Sequence, residues 1–321
     1  MLRRLLTVCI ILTFISAEQI TAQYRAFPID DGHSSITFTT YFSKVIKVPG
    51  SFGNYWGHVF YDPEDITKLS ASVVIDVSTI NTNVQFRDAH LKRADFFDVE
   101  NHPYILFSSE KVVKTSDGYA MNGTIQIKGT EKQIQIPFQI IDKLNPDPWG
   151  NERFTLAGNF QLNRNDFGLG EEGEFFHKAI NEMIEIELVM TMAIRNTDRY
   201  SLFNHPFAKT IYDLMMEEGA SAGLKYFTEH KAEQEHKFVH SSQFLDMFAQ
   251  RLIQYKEFEK AISVYQYNQE LFPDEDFTYA NLANAYFLNK KKKEAQSFAA
   301  KALEKNEFNT LGIELNRLLA K

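Results

Sequence analysis

The sequence predicts a multidomain β + α protein: an eight-stranded antiparallel β-barrel followed by an all-α helical-repeat domain. Three observations carry this. Apolar and polar residues alternate with period two in one segment after another up to about residue 195, the signature of half-buried strands. Near residue 196 the period changes to that of helices. From Phe244 onward the chain matches itself at an offset of 34 residues, the length of a paired-helix repeat.

At the start, Arg3 and Arg4 precede an apolar run from Leu5 to Ile15, and a small residue, Ala22, stands before Gln23. A charged start, a short apolar region and a small residue at the cut describe an export signal over residues 1–22. The run is shorter than the roughly 20 residues that a membrane-spanning helix needs. The expectation is a periplasmic or secreted protein. The single cysteine, Cys9, falls inside that signal, so the processed chain has no disulfide, thiol nucleophile or cysteine metal site. Its stability must come from burial, and a composition that is 44% hydrophobic supplies enough for two cores.

The barrel is expected over residues 23–195. Ser34 to Phe42 puts Ile36, Phe38, Thr40 and Phe42 on one face, and Pro49-Gly50 reads as a break. Phe52 to Tyr61 follows, then Leu69 to Val77 with Leu69, Ala71, Val73, Ile75 and Val77 on one face. Further strands are expected at 105–112, 119–128, 133–141, 154–162 and 183–192, with turns at Ser116-Asp117-Gly118, Gly129-Thr130 and Asn145 to Gly150. Eight strands with short connections close into a barrel that leaves no free edge. Such a barrel is either filled by side chains or just wide enough for one guest. The 28 phenylalanines, many at alternating positions, fit a packed core and an apolar tunnel equally well.

One stretch interrupts the strands: Arg87-Asp88-Ala89-His90-Leu91-Lys92-Arg93-Ala94-Asp95-Phe96-Phe97-Asp98. As a helix it sets Arg87, His90 and Leu91 on one face and pairs Asp88 with Lys92, so it caps something apolar with one side toward a cavity mouth. A structural alternative is that Arg87 and Asp88 tie the helix to nearby strands through local ion pairs. Downstream stand Asn101-His102-Pro103 and Ile105-Leu106-Phe107-Ser108-Ser109. With them go Ile29-Asp30, His33-Ser34, Phe38, Gly50-Ser51-Phe52, Ser78-Thr79-Ile80-Asn81-Thr82, Gly129-Thr130-Glu131-Lys132 and Asn163-Arg164-Asn165-Asp166-Phe167-Gly168. Taken in this order, about residues 24–194 resemble the bacterial YceI-like family.

The resemblance implies a lipocalin-like barrel that binds a polyisoprenoid or another long-chain amphiphile, isoprenoid or fatty-acid-like, with its tail inside. It favours the tunnel over the packed core. The residues then expected to line it are Phe38, Phe42, Phe52, Val73, Ile75, Phe97, Phe107, Ile125 and Phe160. Arg87, His90 and Arg93 are expected at the mouth, as donors to a polar head group. No cofactor or metal is implied. A transient membrane contact is a further expectation.

Residues 196–243 read as a helical linker or first repeat, with helices at 203–217 and 220–231 meeting at Gly219, and a polar stretch from Lys231 to His240. Residues 244–321 carry the repeat. Ala249 matches Ala283, Ala261 matches Ala295, Leu252 matches Tyr286 and Phe248 matches Leu282, which resembles the tetratricopeptide repeat. The expected helices are 242–255, 257–271, 276–289, 291–305 and 308–320. Repeats of this type offer a concave groove to a protein or peptide partner, and Tyr255, Tyr265, Tyr279, Asn281 and Asn284 are candidates to line it. A plain helical bundle is the alternative.

A formal charge of -8 without a basic stripe argues against nucleic acid. Lys290 to Lys293 reads as a solvated turn between helices. Asp30, His33, Ser34, Asp88 and His90 carry acid, base and hydroxyl groups, but no Gly-x-Ser-x-Gly or His-Glu-x-x-His spacing accompanies them. His33 and Ser34 fit a strand-opening turn. The expectation is a lipid-binding protein and not an enzyme. The competing classes are an adaptor whose barrel is a solid scaffold and a hydrolase of lipid-like substrates.

Overall fold

Alternation resolves into one antiparallel sheet, seen in a computed structural model that describes residues 24–144, 146–170 and 179–320. The expected export signal, 1–22, lies outside the described residues. The strands are β1 (Arg25–Pro28), β2 (Ser35–Phe42), β3 (Ile46–Phe52), β4 (Tyr55–Tyr61), β5 (Ser70–Asp76) and β6 (Ile80–Asn81), then, after helix α1 (Gln85–Leu91), β7 (Tyr104–Thr115), β8 (Gly118–Ile127), β9 (Thr130–Leu144), β10 (Glu152–Asn163) and β11 (Met183–Ile194). Their order is β1-β4-β5-β7-β8-β9-β10-β11-β2-β3-β6. Residues 29–30 draw the two sides together: the Ile29 amide donates to the Gly57 carbonyl at 3.0 Å and the Asp30 amide to the Thr191 carbonyl at 2.8 Å. The sheet is therefore curled around an inner face.

Eleven strands among the described residues replace the eight expected. β1 and β6 are too short to show a period, and β3 contains the Pro49-Gly50 pair that reads as a break. Both residues have a physical reason to be there. β6 pairs β3 only at Ser51 and Phe52, so Pro49 sits on an open edge where its missing N–H costs nothing. Gly50 lies opposite Phe38, and a Cβ there would come within 2.2 Å of the Phe38 ring.

One end of the curl is plugged by aromatic packing. The rings of Tyr61 and Phe154 stack with centroids 4.2 Å apart, and Phe27 meets Phe154 edge-on at 5.1 Å. All three are buried. Such contacts add about 0.5–1.5 kcal/mol each beyond burial.

After 3-10 turns at Thr197–Arg199 and Ser201–Asn204, the helices are α2 (Pro206–Glu217), α3 (Ala220–His230), α4 (Ser242–Gln254), α5 (Phe258–Leu271), α6 (Asp276–Leu288), α7 (Lys292–Lys305) and α8 (Thr310–Leu319). Pro206 opens α2 at a position where no helical N–H is lost. The small residues Ala249, Ala261, Ala283 and Ala295, with Phe248, Leu252 and Leu282, are fully buried, which lets neighbouring helices approach closely. Phe244 of α4 stacks with Phe227 of α3 at 5.6 Å and with Phe207 of α2 at 6.1 Å, so α2 and α3 extend the same core. Two of the groove candidates are core residues: Tyr265 and Tyr279 are buried, and the Tyr279 hydroxyl donates to the Pro273 carbonyl.

The helices pack on the outer face of β4 and β5. Phe60 of β4 is fully buried in the helical core, its ring meeting Phe287 edge-on at 5.7 Å. Glu314 of α8, fully buried, accepts from the Ser70 and Ser72 hydroxyls at 2.7 and 2.6 Å and from Arg317 Nη2 at 2.6 Å. A buried carboxylate is tolerated only when its lone pairs are met in this way. His58 of β4 bonds through Nδ1 to Thr310 Oγ1 at 2.7 Å, and loss of hydration holds its pKa down to about 4.

Candidate functional site

Inside the curled sheet is a cavity of about 520 Å³, in the size range of small-molecule sites. Its wall is built by period-two faces. β2 contributes Ile36, Phe38, Thr40 and Phe42; β10 contributes Leu156, Gly158, Phe160 and Leu162; β11 contributes Ile184, Ile186, Leu188, Met190 and Met192. From Leu156 to Leu162 the wall runs about 20 Å along β10 at roughly 3.3 Å per residue. Below Leu156 stands Phe154 of the aromatic plug, which closes that end. At the other end Phe86 is both part of the wall and 80% exposed, so the cavity reaches the surface beside α1.

Phe38, Phe42, Phe52, Val73, Ile75, Phe97, Phe107, Ile125 and Phe160 all lie on this wall, and so do Arg87 and His90. Phe38, Phe52 and Phe97 form a row, with ring centroids 5.7 and 6.2 Å apart. Arg93 is not brought to the cavity. Helix α1 ends at Leu91 with Lys92 as its cap, and the chain then turns tightly, the Phe96 and Asp98 amides both donating to the Arg93 carbonyl. The side chain of Arg93 is left exposed to water. The expected Asp88–Lys92 helical pair does not form among the described residues; Asp88 accepts from Thr82 instead.

Thr82 organises the mouth. Its amide donates to Asp88 Oδ1 at 2.8 Å, and its hydroxyl donates to the same oxygen. That hydroxyl accepts from Arg87 Nε at 2.7 Å, and its carbonyl accepts from Arg87 Nη2 at 2.9 Å. Arg87 is thus aimed through Thr82 rather than by an ion pair with Asp88. These bonds use Nε and Nη2 and set the guanidinium at the opening. His90 Nε2 bonds Asp95 Oδ2 at 2.7 Å, and its ring lies edge-on to Phe96 at 5.0 Å.

Alternation misses Arg164, which follows β10 in a 3-10 turn (Arg164–Phe167). It is buried and lines the cavity. Its Nη1 donates to the Leu169 carbonyl at 2.5 Å and its Nε to the Asn181 carbonyl at 3.1 Å. The Asp95 carbonyl accepts from the Gly170 amide at 2.8 Å, and Gly170, at φ +70°, leaves room for Phe96, whose ring a Cβ there would meet at 2.8 Å. The stretch 87–98 and the Asn163–Gly168 motif thereby meet at one corner of the mouth. Phe86, Thr82 and the methionines Met121, Met190 and Met192 are also on the wall. The period-two run of β11 is the signal that identifies its methionines.

The acid, base and hydroxyl residues do not assemble. His33 Nδ1 bonds Asp30 Oδ2 at 2.9 Å, and Ser34 Oγ donates to the Asp30 carbonyl at 2.7 Å and accepts from the Thr191 amide at 2.9 Å. Those residues open β2 near the closed end, whereas Asp88 and His90 stand at the mouth.

A family model of the YceI-like domain matches residues 27–192. Among curated proteins, a UPF0312 protein of Serratia proteamaculans is 32% identical over 120 residues, 37% of this chain and 62% of that one. A UPF0312 protein of Vibrio cholerae is 32% identical over 138 residues, 43% of this chain and 72% of that one. Among solved structures, Burkholderia cenocepacia BcnA aligns with a TM-score of 0.45 at 20% identity, covering 51% of this chain and 98% of its own. A polyisoprenoid binding domain from Saccharophagus degradans aligns with a TM-score of 0.40 at 13% identity, covering 53% of this chain and 98% of its own.

Proposed function

Because the chain belongs to the YceI-like family, we propose that it binds a long-chain amphiphile, a polyisoprenoid or a fatty-acid-like lipid, with the tail inside the curled sheet and the head group at the mouth. The observation that carries this is the apolar cavity of about 520 Å³. Its wall is almost wholly apolar and reaches the surface at Phe86, so a long apolar tail that enters it exchanges water for side-chain contact along its length, whereas a solid scaffold would fill the space with side chains.

Burial supplies the affinity. At about 0.8 kcal/mol per methylene, a tail of about twenty carbons gains roughly 16 kcal/mol, from which association and ordering subtract about 4–15 kcal/mol. The wall has no directed polar groups along β2, β10 and β11 apart from Thr40, so it selects for apolar length rather than for a functional group. Selection of the head falls to Arg87, whose planar fork matches phosphate or carboxylate.

The rest of the reading is that of an exported carrier or sensor. The helical unit would recruit a protein or peptide partner as a tetratricopeptide-like module. That part rests on the 34-residue offset and on the buried alanines that it equates. The lipid assignment is tested by native mass spectrometry and solvent extraction of protein purified without detergent. The expected result is one long-chain amphiphile per chain, lost on Phe160→Asp. Folded protein that is consistently empty and takes up no long-chain probe would refute it.

A further inference from the structure

We propose that the rim of the cavity mouth docks on a lipid bilayer, with the β2–β3 turn and the start of α1 inserted among the lipids. This rests on the lipid-binding reading and names the surface from which the cargo would be drawn. Five of the nine large hydrophobic side chains that are exposed among the described residues belong to the rim: Val45, Ile46, Val84, Phe86 and Met183. Single exposed apolar residues need no explanation, but a group of them around one opening does.

The elements that carry them also build the opening. Phe42 and Val48 flank the β2–β3 turn and line the cavity, as do Arg87 of α1 and Ile184 of β11. Phe42 pairs with Ile46 and bridges to Ile180, and the Ser43 amide donates to the Ala179 carbonyl at 2.6 Å. Phe86 belongs both to the rim and to the wall, so apolar surface runs unbroken from the outside to the interior. A tail moving along it would never be left in water.

Charge selects the bilayer over a second copy of the chain. The turn that carries Val45 also exposes Lys44 and Lys47, and neither forms an ion pair among the described residues. An anionic head-group layer meets these ammonium groups wherever the turn inserts, whereas a two-fold contact between copies meets them only in a register that sets them opposite carboxylates such as Glu182 or Glu185. Glu182 and Glu185 flank Met183 on β11, so the hairpin side is the one that meets phosphate.

The test is flotation of the full chain with vesicles of phosphatidylcholine alone and of phosphatidylcholine with phosphatidylglycerol. Val45→Ser combined with Ile46→Ser is the main variant, since neither side chain lines the cavity. Vesicle-bound protein is expected to fall about tenfold or more in this variant, with the circular dichroism spectrum unchanged. Lys44→Gln with Lys47→Gln should weaken binding to the anionic vesicles only. Wild-type protein that stays unbound to both vesicles, or a serine variant that floats as well as wild type, would overturn the proposal. So would a dimer in sedimentation equilibrium that the serine variant dissociates. Protein that floats yet yields no lipid would instead count against the cargo assignment and leave the docking surface standing.

Discussion

Replacing His58 with glutamine should expose a proton balance hidden in the wild-type protein. His58 sits at the seam between β4 and α8 with its pKa pushed by burial down to about 4, against about 6.5 in an unfolded chain. As pH falls through 6.5 the unfolded chain takes up a proton that the folded protein refuses, so stability is full above 6.5 and is lost down to about 4. Asp246 of α4 is the opposite case. Burial pushes its pKa up to about 6, although Asn281 Nδ2 and Gln250 Nε2 donate to its carboxylate at 2.9 and 2.6 Å. Between the unfolded value of about 3.9 and about 6 the folded state holds the extra proton, so this group adds stability as pH falls. Each slope is about 1.4 kcal/mol per pH unit and the signs differ, so from pH 6 to 4 the two cancel. His58→Gln removes one of them. Urea denaturation of both proteins at pH 6.5 and 4.5 should show the variant gaining roughly 2 kcal/mol on wild type over that interval, on top of a pH-independent cost for its altered bond to Thr310. A difference between the two proteins that does not move with pH would refute the reasoning.

Three further outcomes follow from the packing. Glu314→Ala leaves the Ser70 and Ser72 hydroxyls and Arg317 without their buried acceptor, and should cost about 3–5 kcal/mol in chemical denaturation. Phe154→Ala, in the aromatic plug, should cost about 3–5 kcal/mol, whereas Phe107→Ala, on the cavity wall, should cost clearly less in lipid-free protein, because part of its ring faces open space; equal costs by calorimetry would contradict the distinction. Gly50→Val should displace the Phe38 ring, lowering stability by about 1–3 kcal/mol and reducing uptake of a long-chain probe.

Much of the wall was legible because its side chains repeat every second residue. Ile36, Phe38 and Phe42 on β2, and Leu156, Phe160 and Leu162 on β10, declare their common face in the sequence and share the cavity in the structure. What alternation could not convey was the length of the short strands. β6 has two residues, a single period with nothing to repeat it, and Pro49 masks β3 although an edge position excuses it. Arg93 was misplaced because α1 stops at Leu91 and the chain turns after its cap, Lys92, an end that neither the helical spacing nor the resemblance marks. Arg164 was visible only as part of a motif; its place on the wall comes from the carbonyls of Leu169, Gly170, Ile180 and Asn181 turning toward one guanidinium. The contact of Glu314 with Ser70 and Ser72 joins residues more than 240 positions apart, and no local pattern signals it. The helices, by contrast, were legible almost to their ends, since apolar residues recur at helical spacing along most of them.

The most direct test of the central claim is the electron density inside the curled sheet of protein crystallised after detergent-free purification. Continuous elongated density is expected from beside Leu156 to the opening at Phe86. Side chains of β2, β10 and β11 that meet across the interior, with no space left between them, would contradict it.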